Sequence, residues 1–350
     1  MGIKNPPSGI KLGIFALLVA MSGCTTVGEK QTTDQPGEIY KVWPQKPEKA
    51  RIAYVKSFSL AADLGISKSF FARIVDFFTG RDDWQLVRPM AVLATGDEKI
   101  YVADPGAGTV HRFDTENGQY TAILRQDDQA LPSPVGLALG IKGELYIADS
   151  FLTKIFVVAD GSNIAEVMEF DIAPKRPTNI AVDQNSQRLY VVDSEDHNIK
   201  VYGTDGLLLN TIGRRGNRDG EFNFPTMIWL DNQDRLLVSD ALNFRIQMFN
   251  LDGRFVKKFG QRGDGTGDMS RPKGVASDSY GHIYVVDALF HSLQLFNDTG
   301  EFLLNVGHRG NATGEFLLPT GIYIDRDNII YVADSHNSRI QMFRYIGSDQ

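Results

Sequence analysis

Residues 224–345 state one pattern nearly three times. Phe224-Pro225-Thr226 leads to Leu236-Leu237-Val238-Ser239-Asp240, then to Arg245-Ile246-Gln247-Met248-Phe249. Arg271-Pro272-Lys273 leads to Ile283-Tyr284-Val285-Val286-Asp287, then to Leu293-Gln294-Leu295-Phe296. Leu318-Pro319-Thr320 leads to Ile330-Tyr331-Val332-Ala333-Asp334, then to Arg339-Ile340-Gln341-Met342-Phe343. Marker prolines and marker aspartates both recur 47 residues apart. A repeat of roughly 40–50 residues cannot bury its apolar face alone, so it specifies a propeller or a solenoid.

Each unit is built of short β-branched and aromatic runs separated by turn chemistry such as Asp252-Gly253 and Thr299-Gly300. No unit holds an amphipathic helical run, which sets helical repeats aside. Four short strands per repeat is the plan of a propeller blade. Three earlier units fit. They carry Ile100-Tyr101-Val102-Ala103-Asp104 after Arg88-Pro89, Leu145-Tyr146-Ile147-Ala148-Asp149 after Pro134, and Leu189-Tyr190-Val191-Val192-Asp193 after Arg176-Pro177. The six aspartates are spaced 45, 44, 47, 47 and 47 residues.

The last unit runs out one strand short. A lone strand-like run at residues 51–58 has no partner near it in sequence. Pairing that run into the last blade would close the ring and cover an open sheet edge. The expected fold is therefore all-β, a six-bladed β-propeller of four-stranded antiparallel blades closed by an N-terminal strand. One short amphipathic helix is expected before the first blade, at residues 68–79. Ser67 can cap it, Gly80 can end it, and Phe70, Phe71, Ile74, Val75, Phe77 and Phe78 form an apolar stripe. That stripe would pack on the propeller or, alternatively, face a membrane or partner.

The units resemble NHL repeats, a family that builds six-bladed propellers. The pattern is Pro-x-Gly, Tyr-Val-Ala-Asp, Asn-x-Arg-Ile and Gly-x-x-Gly. Pro319-Thr320-Gly321, Tyr331-Val332-Ala333-Asp334 and Asn337-Ser338-Arg339-Ile340 follow it throughout. The resemblance covers residues 88–345. It implies a fold rather than a task, because propellers host enzymes, receptors and scaffolds alike.

The first 24 residues read as a processing segment. Lys4 and Lys11 form a basic n-region, and residues 12–21 an apolar h-region too short to span a bilayer. Met21-Ser22-Gly23-Cys24 resembles a bacterial lipobox. The resemblance implies a signal peptide at residues 1–23 and lipidation of Cys24, the chain's single cysteine. Thr25, rather than aspartate, follows it, which implies the outer membrane of a bacterial cell envelope. The alternative is an ordinary secretory signal or an uncleaved anchor. Residues 24–49 are polar, carry Pro36, Pro44 and Pro47, and are expected to be a tether. The propeller is then expected over residues 50–345, with 346–350 as a tail.

Six equivalent aspartates, Asp104, Asp149, Asp193, Asp240, Asp287 and Asp334, are expected to do a job that every blade needs. Asp240 with Arg245, Asp334 with Arg339 and Asp149 with Lys154 can pair across the loop between second and third strands. The others can accept loop amides. The loops between blades point to binding instead. Gly213-Arg214-Arg215-Gly216, Gly260-Gln261-Arg262-Gly263 and Gly307-His308-Arg309-Gly310 are three copies of one loop. Glu221, Asp268 and Glu315 follow in the same loops and can neutralise them. Otherwise Arg214, Arg215, Arg262, His308 and Arg309 would surround the channel mouth and attract an acidic partner.

The net charge of −7 argues against a nucleic-acid binder. No His-Glu-x-x-His or Gly-x-Ser-x-Gly is present, and the six histidines share no common spacing. Related six-bladed folds include metal-dependent lactonases and an amidating lyase, but neither ligand set can be placed on these residues. The expectation is a non-catalytic scaffold for an envelope protein or peptide, without a cofactor. The alternative is a hydrolase or lyase with a divalent metal in the channel.

Overall fold

The second strand of every repeat is buried on both faces, and this is what makes a stack of blades rather than a single sheet. Arg188–Asp193 and Ile329–Asp334, for example, are buried almost throughout. A strand covered on both sides reads as a continuous apolar run instead of an alternating one. Outer strands such as Leu208–Ile212 and Phe255–Phe259 are largely exposed or half-buried. Burial thus falls from the second strand of each blade to its rim.

The computed structural model describes residues 41–67, 84–96 and 98–347. Cys24, the signal segment and the helix expected at residues 68–79 lie outside them. Blade one is Ala91–Ala94, Lys99–Asp104, Thr109–Asp114 and Gln119–Arg125. Blades two to five begin at Pro134–Leu139, Pro177–Asp183, Pro225–Leu230 and Pro272–Ser277. Blade six has Ile322–Ile324, Ile329–Asp334 and Arg339–Tyr345. The six innermost strands contact one another in a closed ring, the sixth meeting the first. Six apolar clusters fill the junctions, one between each pair of neighbouring blades among the described residues.

The strand Ile52–Phe58 closes the ring. It runs antiparallel to Arg339–Tyr345, from Ile52 opposite Tyr345 to Phe58 opposite Ile340. Blade six therefore takes its fourth strand from the N-terminal side.

Two features depart from the expected plan. Val42–Trp43 pairs outside the closing strand, with Trp43 opposite Ile52, so blade six has five strands. The folded domain thus reaches back into the expected tether of residues 24–49. The reason is Trp43: its ring is buried and meets Phe343 edge-on at 5.8 Å. Second, the outer strands of blades one and two pair in parallel, Ile164 beside Leu124 and Ala165 beside Arg125. Those two blades form one eight-stranded sheet. The Arg112 guanidinium donates to the Ser162 carbonyl at 2.9 Å across the same seam.

Candidate ligand-binding face and channel

The six marker aspartates are fully buried. All six end the second strand, and three of them, Asp104, Asp193 and Asp287, direct both oxygens at the loop that enters their own blade. Asp104 accepts from the Val87 and Arg88 amides at 2.6 and 2.9 Å, Asp193 from Lys175 and Arg176, and Asp287 from Ser270 and Arg271. Asp240 and Asp334 take the Asn223 and Leu317 amides at 2.7 and 2.8 Å. Asp149 takes Ser133, Phe151 and Leu152. Burial works against the Asp104 carboxylate, but the His111 ring and the Val87 and Arg88 amides hold it below its ordinary range.

Four residues after each aspartate the chain turns left-handed: Gly108, Thr153, His197, Phe244, His291 and Ser338 all have φ between 53° and 69°. Non-glycine residues rarely adopt that conformation. A tight two-loop turn at the top of each blade requires it.

Asp240 with Arg245 and Asp334 with Arg339 are ion pairs at 2.8 Å. Each arginine also clamps the loop arriving from the preceding blade. Arg245 donates to the Asn217, Arg218 and Glu221 carbonyls, and Arg339 to those of Ala312 and Glu315. Gln247 and Gln341 add a bond each to Glu221 and Glu315. Asp149 and Lys154 do not behave this way: Lys154 is exposed, and Asp149 is occupied by amides.

These two loops, and the one at residues 260–269 that Gln294 holds through the Asp268 carbonyl at 3.0 Å, carry the five basic residues singled out from sequence. Arg214 pairs with Glu221 at 2.9 Å, Gln261 bonds Asp268 at 2.9 Å, and His308 lies 3.7 Å from Glu315. That position is neutralised within its own loop. Arg215, Arg262 and Arg309, one residue on, are exposed. Short bridges fix their backbones, Arg215 to Phe222, Arg262 to Met269 and Arg309 to Phe316. The Arg262 guanidinium lies 5.4 Å above the Phe244 ring, and Arg215 and Arg309 act electrostatically on the equivalent His197 and His291. None of the five lines the channel or its mouth, where they were expected. Their loops lie beside the turns of the preceding blade, at His197, Phe244 and His291.

His197 and His291 serve the fold. Their Nδ1 atoms accept from the Phe224 and Leu318 amides, each at 3.0 Å, tying one blade's turn to the next blade's entry. Burial first, then Arg215 and Arg309, pull both imidazoles below the usual histidine range.

The channel encloses about 1610 Å³. In four blades the inner strand begins with a bulge just after its proline, between Pro134 and Gly136, Pro177 and Asn179, Pro225 and Met227, and Pro272 and Gly274. The extra residues are Val135, Thr178, Thr226 and Lys273, and all four line the channel. Bulges re-aim side chains in this way. The opposite end is lined by turns between first and second strands, where Asp231, Asp278 and Asp325 are held by Arg235, His282 and Tyr331. Among the described residues no group of three or more His, Cys, Asp or Glu side chains could hold a metal ion.

Sequence reasoning missed Lys273 and the pre-proline arginines Arg88, Arg176 and Arg271. They were legible only as starting marks of their repeats. Burial first, then Arg271 and Arg176, lower the Lys273 ammonium below the ordinary lysine range.

Comparison with known proteins places the fold. A family model described as a 6-bladed beta-propeller matches residues 274–347. No curated protein matches the sequence. Among solved structures, virginiamycin B lyase from Staphylococcus aureus is similar at 14% identity, with 85% of this chain and 99% of that chain covered and a TM-score of 0.57. A gluconolactonase from Xanthomonas campestris is similar at 15% identity, covering 75% and 87%, with a TM-score of 0.57. An auxiliary nutrient binding protein from Bacteroides thetaiotaomicron is similar at 12% identity, covering 75% and 71%, with a TM-score of 0.59. Likeness at such identities speaks for the fold alone: the chain is an all-β, six-bladed β-propeller.

Proposed function

We propose that the protein is a non-catalytic scaffold of the bacterial cell envelope, held by a lipid on Cys24 at the outer membrane, that captures an acidic protein or peptide on its loop face. The carrying observation is the arc of Arg215, Arg262 and Arg309, exposed on three loops whose backbones are bonded by the adjoining blades, two through Arg245 and Arg339 and the middle one through Gln294. A clamped loop loses little freedom on binding, and arginine is favoured at binding hot spots. Equivalent places on neighbouring blades make their charges add along the arc, which steers an acidic partner.

Capture from native membranes by the lipidated protein tests the reading. The variant Arg215→Ser/Arg262→Ser/Arg309→Ser is expected to fold normally and lose the partner, with the difference widest at low salt. Asp205→Asn/Asp252→Asn on the opposite rim is the control and is expected to keep it. Asp298 is unsuitable for that control, because it bonds Arg235 at 2.6 Å across two blades. Loss in the control with retention in the arginine variant overturns the choice of face.

A hydrolase or lyase working in the channel is the second reading. The channel's volume and the lyase and gluconolactonase that share the fold support it. A stoichiometric channel metal in the purified protein decides for it.

A further inference from the structure

We infer that the upper channel is a binding site for a small organic anion, whose carboxylate or phosphate group sits on Lys273 with its apolar body against Met90, Val135 and Leu318. One ring of equivalent positions lies just before the six inner-strand prolines. Going round the ring it reads Arg88, Ser133, Arg176, Phe224, Arg271 and Leu318. Cations therefore occur in alternate blades, the first, third and fifth. Two positions deeper the ring reads Met90, Val135, Thr178, Thr226, Lys273 and Thr320. Here there is one cation, carried by a bulge that turns it into the channel.

The mouth of the channel is a second cavity of about 470 Å³, sharing Met90, Ser133, Val135, Lys273 and Thr320 with the first. Arg88, Arg271, Lys273 and His336 line it, and among the described residues no carboxylate does. The acidic residues of the main channel, Glu98, Asp231, Asp278, Asp325 and Asp327, sit in the turns of its far end, where Asp231, Asp278 and Asp325 are engaged. The ring threonines cannot replace a counter-ion. Thr226 and Thr320 donate their hydroxyl protons to the Lys273 and Met90 carbonyls of the next blade. A half-buried ammonium with two guanidiniums nearby and no carboxylate facing it among the described residues is an unfavourable arrangement in the empty protein. It becomes favourable when an oxyanion enters, and planar guanidiniums at the rim suit a carboxylate or phosphate. The remaining wall is apolar, through Met90, Pro105, Pro132, Val135, Leu289 and Leu318. The combination of a few convergent polar groups and an apolar wall is that of a small-ligand pocket. The site is distinct from the arginine arc, whose residues line neither cavity.

Calorimetric titration with benzoate, phenyl phosphate, inorganic phosphate and benzyl alcohol, alongside melting of the same mixtures, tests the inference. Benzoate or phenyl phosphate is expected to bind and raise the melting temperature, while the neutral alcohol does neither. Benzoate against phenyl phosphate tells a carboxylate site from a phosphate site. Inorganic phosphate reports what the apolar wall adds. Lys273→Met and Lys273→Gln are expected to weaken the anion by at least about tenfold and to melt higher than the wild type without ligand. Arg88→Ser/Arg176→Ser/Arg271→Ser is expected to weaken binding less. Arg215→Ser/Arg262→Ser/Arg309→Ser leaves it unchanged. Equal binding of anion and alcohol, unchanged binding in both Lys273 variants, or no binding of any probe at millimolar concentration overturns the assignment.

Discussion

Phe58 and Phe113 meet edge to face, their ring centroids 5.7 Å apart and their planes at 74°. Phe58 belongs to the closing strand of blade six, Phe113 to the third strand of blade one, and both are fully buried. One side chain thus completes a blade and seals the ring against the next. Phe58→Ala is expected to cost about 3–5 kcal/mol, read as a shift in the denaturant midpoint. Deleting residues 1–58 should cost far more, because it bares the edge of Arg339–Tyr345. Deleting residues 1–40 removes none of the described strands and should leave the midpoint nearly unchanged. Equal stability of the two truncations would contradict closure by this strand.

The Arg245 clamp holds three carbonyls and a buried carboxylate with one guanidinium. Arg245→Ala leaves Asp240 without its cation and the loop at residues 213–222 without its anchor. A loss of about 3–5 kcal/mol is expected, the range for breaking a buried pair. Asp240→Ala/Arg245→Ala should cost less than the sum of the single changes, since the residues share one network. Additive losses in chemical denaturation would mean that the two side chains act independently.

Acid should loosen the blade turns. His197 and His291 accept amide protons at Nδ1, and their folded pKa values lie below the unfolded value of about 6.5. The unfolded chain therefore takes up protons first as the pH falls. The stabilisation is complete above about pH 6.5 and declines below it, through the depressed folded values. His197→Asn/His291→Asn keeps a residue that tolerates the left-handed turn and removes the titration. Urea midpoints of this variant should change less between neutral and mildly acidic pH than those of the wild type.

Lipidation is tested at Cys24. Cys24→Ser is expected to move the protein from the membrane pellet to the soluble fraction and to abolish labelling with a radioactive fatty acid. A variant that stays wholly in the pellet shows that another segment holds it there.

The ring was legible because each second strand is buried on both sides and therefore writes itself as an unbroken apolar word ending in aspartate. Closure was legible because a strand without a neighbour in sequence needs one in space. Val42–Trp43 was not, since two residues carry no periodicity and a single tryptophan in a polar stretch is easily taken as incidental. The parallel seam between blades one and two rests on outer strands meeting side to side, which no local pattern encodes. Arg215, Arg262 and Arg309 were legible as equivalent positions of a repeated loop, but the packing of those loops was not, because the residues that hold them lie in other strands. Lys273 escaped notice for a different reason. A bulge inserts one residue out of register, so alternation along the strand does not tell which side chain faces the channel.

The pairing of Ile52–Phe58 with Arg339–Tyr345 has a consequence for biogenesis. During synthesis the strand Ile52–Phe58 waits, its inner edge bare, until Arg339–Tyr345 has appeared. Blades one to five take all four strands from one stretch of chain and can mature as they emerge. The sixth joins the two extremes of the domain, a contact of the highest sequence separation the fold contains, and such contacts form slowly. An unpaired strand held open for that long is a template for its neighbours in a crowded compartment. The ring's final stitch is therefore the step at which a folding helper or a holding factor has the most to protect.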